Sequence, residues 1–175
     1  MDKLEKQKCP FCLKDTLTLI EDETEVPYFG KVHIFSMECS NCNAKQADIE
    51  AAEPKEPSKY TFNIESEKDM EVRVVKSSAA TIKVPQLRMT VTPGPASEGY
   101  VSNIEGLLNK FIGVIEKQRD NTEDADEKKR AKNLLKKLRK VKYGDVALKI
   151  IIEDPKGNSA IISDRAKIEK LKVKK

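Results

Sequence analysis

The only four cysteines of the chain form two Cys-x-x-Cys pairs, Cys9 with Cys12 and Cys39 with Cys42, and residues 13–38 lie between the pairs. A Cys-x-x-Cys turn places two sulfurs on one side of a tight loop, and two such turns supply four soft ligands for a tetrahedral metal ion. We therefore predict one structural Zn²⁺ bound by all four cysteines. Four protein thiolates leave no coordination position for water or substrate, so the site would not be catalytic.

Other interpretations of the cysteines remain open at this stage. A redox-active pair or two disulfides are disfavoured, because the paired spacing is that of metal ligands and no helical pattern follows Cys12. Four sulfurs in a tetrahedron also suit iron, so a rubredoxin-like electron carrier is an alternative. Zinc is favoured because iron sites of this kind usually lie in a compact aromatic core, and few aromatic residues surround these pairs.

The composition argues against several classes of protein. No apolar run approaches the roughly 18 residues of a membrane-spanning helix, and residues 1–8 lack the apolar core of a secretory signal. We therefore expect a cytoplasmic protein that does not enter a membrane. The chain has 33 Lys and Arg against 29 Asp and Glu, and four thiolates around Zn²⁺ lower its formal charge of +4 to about +2. The net charge therefore gives no argument for nucleic-acid binding.

The first predicted domain, residues 1–50, is a zinc ribbon. Its expected strands, residues 16–20 and 32–38, are rich in β-branched and aromatic residues. The polar residues 1–8 are expected to be frayed, and the acidic residues 21–25 are expected to form a turn. A ribbon of this size buries little apolar surface, so metal binding would supply its folding free energy.

Individual residues of the ribbon have candidate roles. Pro27, Tyr28 and Phe29 form a predicted tip that is a candidate partner-binding surface, or alternatively covers the core of the ribbon or of the next domain. The lone histidine, His33, lies in a strand-like run and is expected at the strand surface rather than at the metal. Asn43 follows the second cysteine pair and tolerates the left-handed backbone expected there.

The second predicted domain, residues 51–175, begins with a proline-containing connection at residues 51–58. Four short apolar or alternating runs then predict strands, at residues 60–64, 71–75, 80–84 and 87–91. Their spacing is that of a sandwich or a β-helix-like barrel. A last strand is expected to include Leu171 and Val173.

Residues 102–142 predict a helical hairpin. A serine–glutamate capping box at residues 102–105 starts the first helix, and an apolar stripe at helical spacing follows it. The second helix, about residues 122–141, has an acidic start and a basic end, which complements the helix dipole. Strands resume at residues 145–152 and 160–162, so the hairpin is inserted between strands that must pair across it.

The second predicted helix carries the densest basic cluster of the chain, a run of Lys and Arg between residues 128 and 142. Lys136, Lys137, Arg139 and Lys140 are a candidate nucleic-acid-binding face. No aromatic residue or glycine is interleaved with this run, so a solvated helix face is the favoured interpretation.

Short motifs occur along nearly the whole chain, at residues 9–12, 26–32, 35–42, 74–77, 84–87, 102–108 and 154–159. Together they resemble the ZPR-type zinc-finger family, in which a four-cysteine ribbon precedes a so-called A domain. Eukaryotic members carry two copies of this unit, whereas this chain carries one and resembles the shorter archaeal type, an identification that residues 95–106 support. Gln86 stands where many members of the family have Glu.

The resemblance implies a mainly β fold with an α insertion, in which the Cys₄ ribbon is followed by a jelly-roll-like double-stranded β-helix with an inserted helical hairpin. Eukaryotic members bind translation elongation factor 1-alpha and assist its folding, so the resemblance implies a folding helper or protein-interaction module with that partner. One histidine and no visible nucleophile–base pair or phosphate-binding glycine loop disfavour an enzyme. A nucleic-acid-binding zinc ribbon that uses residues 128–142 is the alternative.

Overall fold

The computed structural model describes residues 2–26, 30–53, 55–95 and 97–172, and it places β-strands on both sides of a helical hairpin. An N-terminal four-stranded sheet is followed by a five-stranded and a three-stranded sheet. The prediction of a mainly β fold with an α insertion is therefore confirmed. None of the helices in the described residues is long and apolar enough to cross a membrane.

The N-terminal sheet is an antiparallel ribbon with the strand order β1-β2-β3-β4. The strands are β1 (Asp2–Gln7), β2 (Leu17–Val26), β3 (Gly30–Cys39) and β4 (Lys45–Ala51). The β2–β3 pairing continues in regular register from Leu17 opposite Cys39 to Val26 opposite Gly30. The two cysteine pairs therefore lie at one end of a long two-stranded stem.

Two predictions about the ribbon are wrong. Residues 1–8 are not frayed as a whole, because β1 pairs with β2 and places Leu4 opposite Leu19. The acidic residues 21–25 do not form a turn but continue β2. Their carboxylates are accommodated at the surface by cross-strand partners, as in the 2.7 Å salt bridge between Glu23 and Lys31.

The second part contains two antiparallel sheets, with strand orders β12-β5-β10-β7-β8 and β11-β6-β9. Their strands are β5 (Ser58–Ile64), β6 (Arg73–Lys76), β7 (Thr81–Val84), β8 (Met89–Val91), β9 (Tyr100–Asn103), β10 (Leu148–Asp154), β11 (Ala160–Ile162) and β12 (Lys167–Lys170). The central strand β10 alternates buried and half-buried residues along its whole length, as expected for a strand with one face on a core.

Some predicted boundaries in this part shift for local reasons. The second predicted strand starts only at Arg73, because Glu67–Glu71 forms a 3₁₀ turn in which the Asp69 carboxylate accepts from the backbone N–H groups of Glu65 and Ser66. The last strand is Lys167–Lys170, which ends before Leu171. Val173 lies outside the described residues.

The helical hairpin consists of α1 (Ile104–Asn121) and α2 (Ala125–Lys142), inserted between β9 and β10. The predicted cap of the first helix is wrong by one residue. Ser102 belongs to β9, where it pairs with Val74, and the side chain of Asn103 caps the helix by accepting from Gly106 N at 2.8 Å.

Both helices bury an apolar stripe in the core that the two sheets share. Leu107, Leu108 and Leu138 are fully buried with Phe62 and Ile150 from the five-stranded sheet. The opposite face of α2 is polar and exposed, so the hairpin presents its Lys and Arg side chains to solvent.

The ribbon packs against the second part through an apolar contact at the end far from the cysteines. Val26, Val32 and Ile49 are buried against Val75 and Ala160. Burial of this cluster orients the ribbon on the sheets and leaves the cysteine end projecting from the contact.

Polar bonds reinforce this junction at strand β4. The Asp48 carboxylate accepts from Ser78 Oγ at 2.6 Å and from Ser78 N at 3.0 Å. The backbone N–H of Gly99 donates to Ala47 O, and a Cβ at Gly99 would meet Ile49 N at 2.7 Å. Only glycine allows the chain to approach the ribbon edge this closely.

A second polar cluster lies just inside the junction and joins two of the motifs singled out from the sequence. Asp154 is 0% exposed, and its carboxylate accepts from Ser77 Oγ at 2.7 Å, from Ser159 Oγ at 2.6 Å and from Lys156 N at 2.8 Å. Ser159 Oγ also accepts from Ser77 N at 2.9 Å. The motifs at residues 74–77 and 154–159 therefore hold each other in place.

Candidate metal centre

The structure brings the four cysteine sulfurs together at the end of the ribbon, all within 4.8 Å of one another. Cys9 Sγ lies 3.7 Å from Cys42 Sγ, and Cys12 Sγ lies 3.7 Å from Cys39 Sγ. Four sulfurs at the usual Zn–S length would be about 3.8 Å apart on the edges of a tetrahedron. Two of the six edges thus already have the length expected for a tetrahedral zinc site, and the four side chains could hold one ion with small adjustments.

Residues 9–14 and 39–44, which we call the two knuckles, have the same backbone hydrogen bonds. Cys9 O accepts from Leu13 N, and Cys39 O accepts from Asn43 N, each at 2.9 Å. Cys9 N donates to Lys14 O and Cys39 N donates to Ala44 O, again at 2.9 Å. The chain thus uses one turn twice, and each turn points two sulfurs at the same centre.

Each knuckle requires a left-handed residue directly after its second cysteine. Leu13 has φ 61° and Asn43 has φ 55°. The left-handed backbone predicted for Asn43 is confirmed. Leu13 occupies the same conformation without a side chain suited to it, because a branched carbon side chain costs about 1–2 kcal/mol there.

Replacing Leu13 by Asn is expected to stabilise the ribbon, because the first knuckle would then match the second. We expect the free energy of unfolding to rise by about 1 kcal/mol, measured by denaturant titration of the zinc-loaded protein. The control is Leu4→Asn, since Leu4 is 61% exposed, about as exposed as Leu13 at 69%, and lies in an ordinary strand. An equal gain in both variants would contradict the backbone explanation.

The protein surroundings move the pKa values of Cys39 and Cys42 in opposite directions. The hydroxyl of Thr16, 3.2 Å from Cys39 Sγ, and the backbone N–H of Cys42 lower the pKa of Cys39 to about 6. The backbone N–H of Ala44 lowers the pKa of Cys42, but desolvation and the thiols of Cys39 and Cys9 outweigh it and raise that pKa to about 12. A divalent cation supplies the charge that four neighbouring thiolates require.

Cys9 and Cys39 are completely buried, and Cys42 is exposed at the surface of the turn. His33 lies on β3, with its Nδ1 3.4 Å from Glu21 Oε1 and its ring stacked on Phe35. It is not part of the sulfur cluster. The prediction that this histidine is a strand-surface residue is therefore confirmed for the described chain.

Sequence reasoning did not identify an apolar face on the ribbon. Leu4, Leu19 and Met37 lie side by side across β1, β2 and β3, and Phe35 lies in the next row opposite Glu21. Leu4 is 61%, Phe35 40% and Leu19 37% exposed, and the four side chains line a groove of about 410 Å³. The sequence did contain a signal, since every second residue along β2 and β3 points to this face, as Leu19, Glu21, Phe35 and Met37 do. That alternation does not show which face of the sheet remains exposed to solvent.

The other predicted site residues lie elsewhere. Pro27, Tyr28 and Phe29 lie outside the described residues, so the tip stays a prediction. The predicted basic face lies on helix α2, and the four cysteines lie in the ribbon. The members of this face are Lys136, Lys137, Arg139 and Lys140.

The members of this basic face have different surroundings. Lys137 Nζ donates to Gln86 O at 3.1 Å, and Arg139 approaches Glu116 at 3.6 Å. Lys136 and Lys140 have no ion pair in the described part of the chain. The Gln86 side chain itself accepts from Lys149 N at 3.1 Å and thereby joins a 3₁₀ turn to β10.

Comparison with models of known protein families shows to which family the chain belongs. A model of the ZPR1 zinc-finger domain matches residues 3–57, and a model of the ZPR1 jelly-roll domain matches residues 68–175. The chain belongs to the ZPR1 family. Its four cysteines are thus those of a ZPR1 zinc-finger domain positioned for one zinc ion. Its five-stranded and three-stranded sheets, apart from strand β5, lie in the part of the chain that matches the ZPR1 jelly-roll domain. The domain boundary at residue 50 stays a prediction.

Individual ZPR1 relatives agree with this assignment. The chain is 38% identical to an uncharacterised ZPR1-like protein of Methanocaldococcus jannaschii, over 94% of the chain and 83% of the relative. It is 40% identical to one of Pyrococcus horikoshii, over 93% of the chain and 75% of the relative. It is also 30% identical to the zinc finger chaperone zpr1 of Schizosaccharomyces pombe, over 79% of the chain but only 30% of that longer protein.

Proposed function

We propose that the chain is a non-enzymatic folding helper of the cytoplasm that binds incompletely folded translation elongation factor 1-alpha through the apolar face of its ribbon. Cys9, Cys12, Cys39 and Cys42 bind the one zinc ion that keeps this face in shape. The observation that carries the proposal is the apolar groove formed by the exposed side chains of Leu4, Leu19 and Phe35 with the half-buried Met37 beside them. The name of the fission yeast relative, a chaperone, supports the same kind of activity.

The chemistry of this face suits an unfolded chain. Leucine, methionine and phenylalanine side chains in a shallow groove bind apolar segments of many sequences, because they adapt by small side-chain rotations. The carboxylates of Asp2 and Glu21 line the same groove. We therefore expect the bound segments to be apolar and flanked by Lys or Arg.

The zinc site has a supporting role in this proposal. Leu19 and Met37 lie on the two strands next to the knuckles. Met37 packs against the small buried cluster of Cys9, Leu17 and Cys39. The ion orders the strands, and the ordered strands present the apolar side chains. Partner recognition is thus performed by side chains that the zinc positions and not by the zinc itself.

The proposal is tested by refolding purified elongation factor 1-alpha with the zinc-loaded protein and by measuring their binding. Phe35→Ser is expected to weaken binding about tenfold or more and to remove the assistance, because buried aromatic anchors dominate such interfaces. Val114→Ser is the matched control, since Val114 is 65% exposed on α1, outside the groove.

Two results would overturn the proposal. One is a wild-type protein that neither binds the unfolded elongation factor nor raises its refolding yield. The other is a Phe35→Ser variant that acts as well as the Val114→Ser control.

A further inference from the structure

A basic groove that includes an aromatic side chain runs along α2 beside α1, and Arg119 of α1 also lines it. Lys132, Lys136, Arg139 and Lys140 line this groove of about 390 Å³ together with Tyr143. Tyr143 is 73% exposed and follows the last residue of α2 as its C-cap. Sequence reasoning found no aromatic residue within the basic run, because Tyr143 comes just after it along the chain.

The geometry points to a binding groove for single-stranded nucleic acid, and we propose that function for it. Lys132, Lys136 and Lys140 are spaced by four residues, which on an α-helix puts them in one row at intervals of about 6 Å. Tyr143 comes three residues later on the same side. The row thus offers cations for a phosphate backbone and then an aromatic surface for a base.

The charge of the groove is not neutralised by the protein. Arg119 is paired with Asp120 at 2.7 Å, and Arg139 approaches Glu116 at 3.6 Å. No ion pair involves Lys132, Lys136 or Lys140 in the part of the chain that the structure describes. These three exposed ammonium groups are therefore free to bind an anionic chain.

Two other occupants fit the groove less well. A lipid surface would need apolar side chains on the exposed face, but Ala131, Leu135 and Leu138 are buried in the core. An acidic protein segment would match the charge but makes no particular use of an exposed tyrosine at the end of the lysine row. A single strand uses both, because its phosphates repeat and its unpaired bases can stack.

The experiment measures fluorescence anisotropy of labelled 12-nucleotide oligouridylate and oligothymidylate with the full zinc-loaded chain over a range of salt concentrations. The triple change Lys132→Gln, Lys136→Gln and Lys140→Gln is expected to weaken binding at least about tenfold and to reduce the salt slope by about 2. The control is Lys8→Gln, Lys117→Gln and Lys172→Gln, which alters the net charge equally at exposed lysines outside the groove. It is expected to change binding less than about twofold.

Tyr143 provides an independent test of the stacking contribution. Tyr143→Ala is expected to weaken binding about tenfold with an unchanged salt slope, whereas Tyr143→Phe should retain the affinity. Circular dichroism establishes that each variant is folded. The proposal is supported if either oligonucleotide binds and its affinity falls in the triple lysine variant and in Tyr143→Ala as stated.

Several results would overturn the proposal. They are the absence of binding by the wild type, an equal loss in the two triple variants, and an unaffected Tyr143→Ala variant. A polyglutamate peptide that displaces the oligonucleotide as well as unlabelled RNA does would also overturn it, and would assign the groove to an acidic protein segment. None of these outcomes depends on elongation factor 1-alpha, so this proposal and the proposed function can fail separately.

Discussion

Removal of zinc is expected to unfold the knuckle end of the ribbon while the jelly-roll domain stays folded. In the described part of the chain, the small cluster at that end has three buried residues, Cys9, Leu17 and Cys39, so little apolar burial remains once the ion is lost. Zinc contributes about 10–16 kcal/mol of apparent binding free energy in zinc-finger peptides, far more than this cluster can replace. The jelly-roll domain has its own apolar core, separate from the cysteine cluster.

Hydrogen exchange of the chelated protein measures this effect along the chain. Amides of the two knuckles, residues 9–14 and 39–44, should lose at least about a hundredfold in protection. Amides near Val32 and Ile49 should lose less, since both side chains are buried against the jelly-roll domain. Cys39→Ser should reproduce the pattern and lower the bound zinc in metal analysis.

The control for the zinc experiment is Ser40→Ala. Ser40 lies in the same knuckle but is exposed, and its hydroxyl makes only a long 3.4 Å bond to Thr16 O. This variant should retain its zinc and its protection. Uniform loss of protection across ribbon and jelly-roll domain after chelation would contradict a purely local role of the ion.

Asp154→Ala is expected to destabilise the jelly-roll domain by about 3–5 kcal/mol, since each buried donor left without an acceptor costs about 1–3 kcal/mol. The carboxylate is completely buried, and its removal leaves the hydroxyls of Ser77 and Ser159 and the N–H of Lys156 without their acceptor. The junction with the ribbon should loosen as well. Ser78, the residue that follows Ser77 in the chain, donates to Asp48 of the ribbon and would lose its support.

Denaturant unfolding of the zinc-loaded protein measures the loss, with Glu153→Ala as the matched control. Glu153 is the preceding residue of the same strand, and its salt bridge with Lys83 is partly exposed. A surface pair of this kind contributes at most about 1 kcal/mol. Similar destabilisation by both variants would show that the buried hydrogen bonds of Asp154 are not the main contribution.

Local patterns predicted much of the fold, and the exceptions have local causes. The apolar stripes of both helices and most strands of the jelly-roll domain are visible in the sequence because side-chain periodicity follows backbone geometry. Strand β9 was not predicted, and the last strand was expected too late in the chain. Strand β1 was missed because its residues are all exposed and carry no apolar pattern. Strand β1 is ordered because it pairs with β2, and the sequence of residues 1–8 alone gives no sign of that pairing.

The cap of α1 and the groove of α2 were missed for a related reason. Ser102 and Asn103 are both good caps, and both pair with β6, so the choice depends on where the strand ends: Asn103 is the last residue of β9, and its side chain accepts from Gly106 N. Tyr143 joins Lys136 and Lys140 at one groove because the helix brings residues three and four apart to the same side.

The sequence by itself determined the metal chemistry of this protein, since four cysteines in two pairs define one soft tetrahedral site wherever the chain places it. Only the tertiary structure decided which face of the ribbon can bind a partner. Both faces carry apolar residues, Ile34 and Ile49 on one and Leu19 and Phe35 on the other. Alternation along a strand distinguishes two faces but does not say which is covered. Contact of Ile49 with the jelly-roll domain covers the first face and leaves the second to solvent.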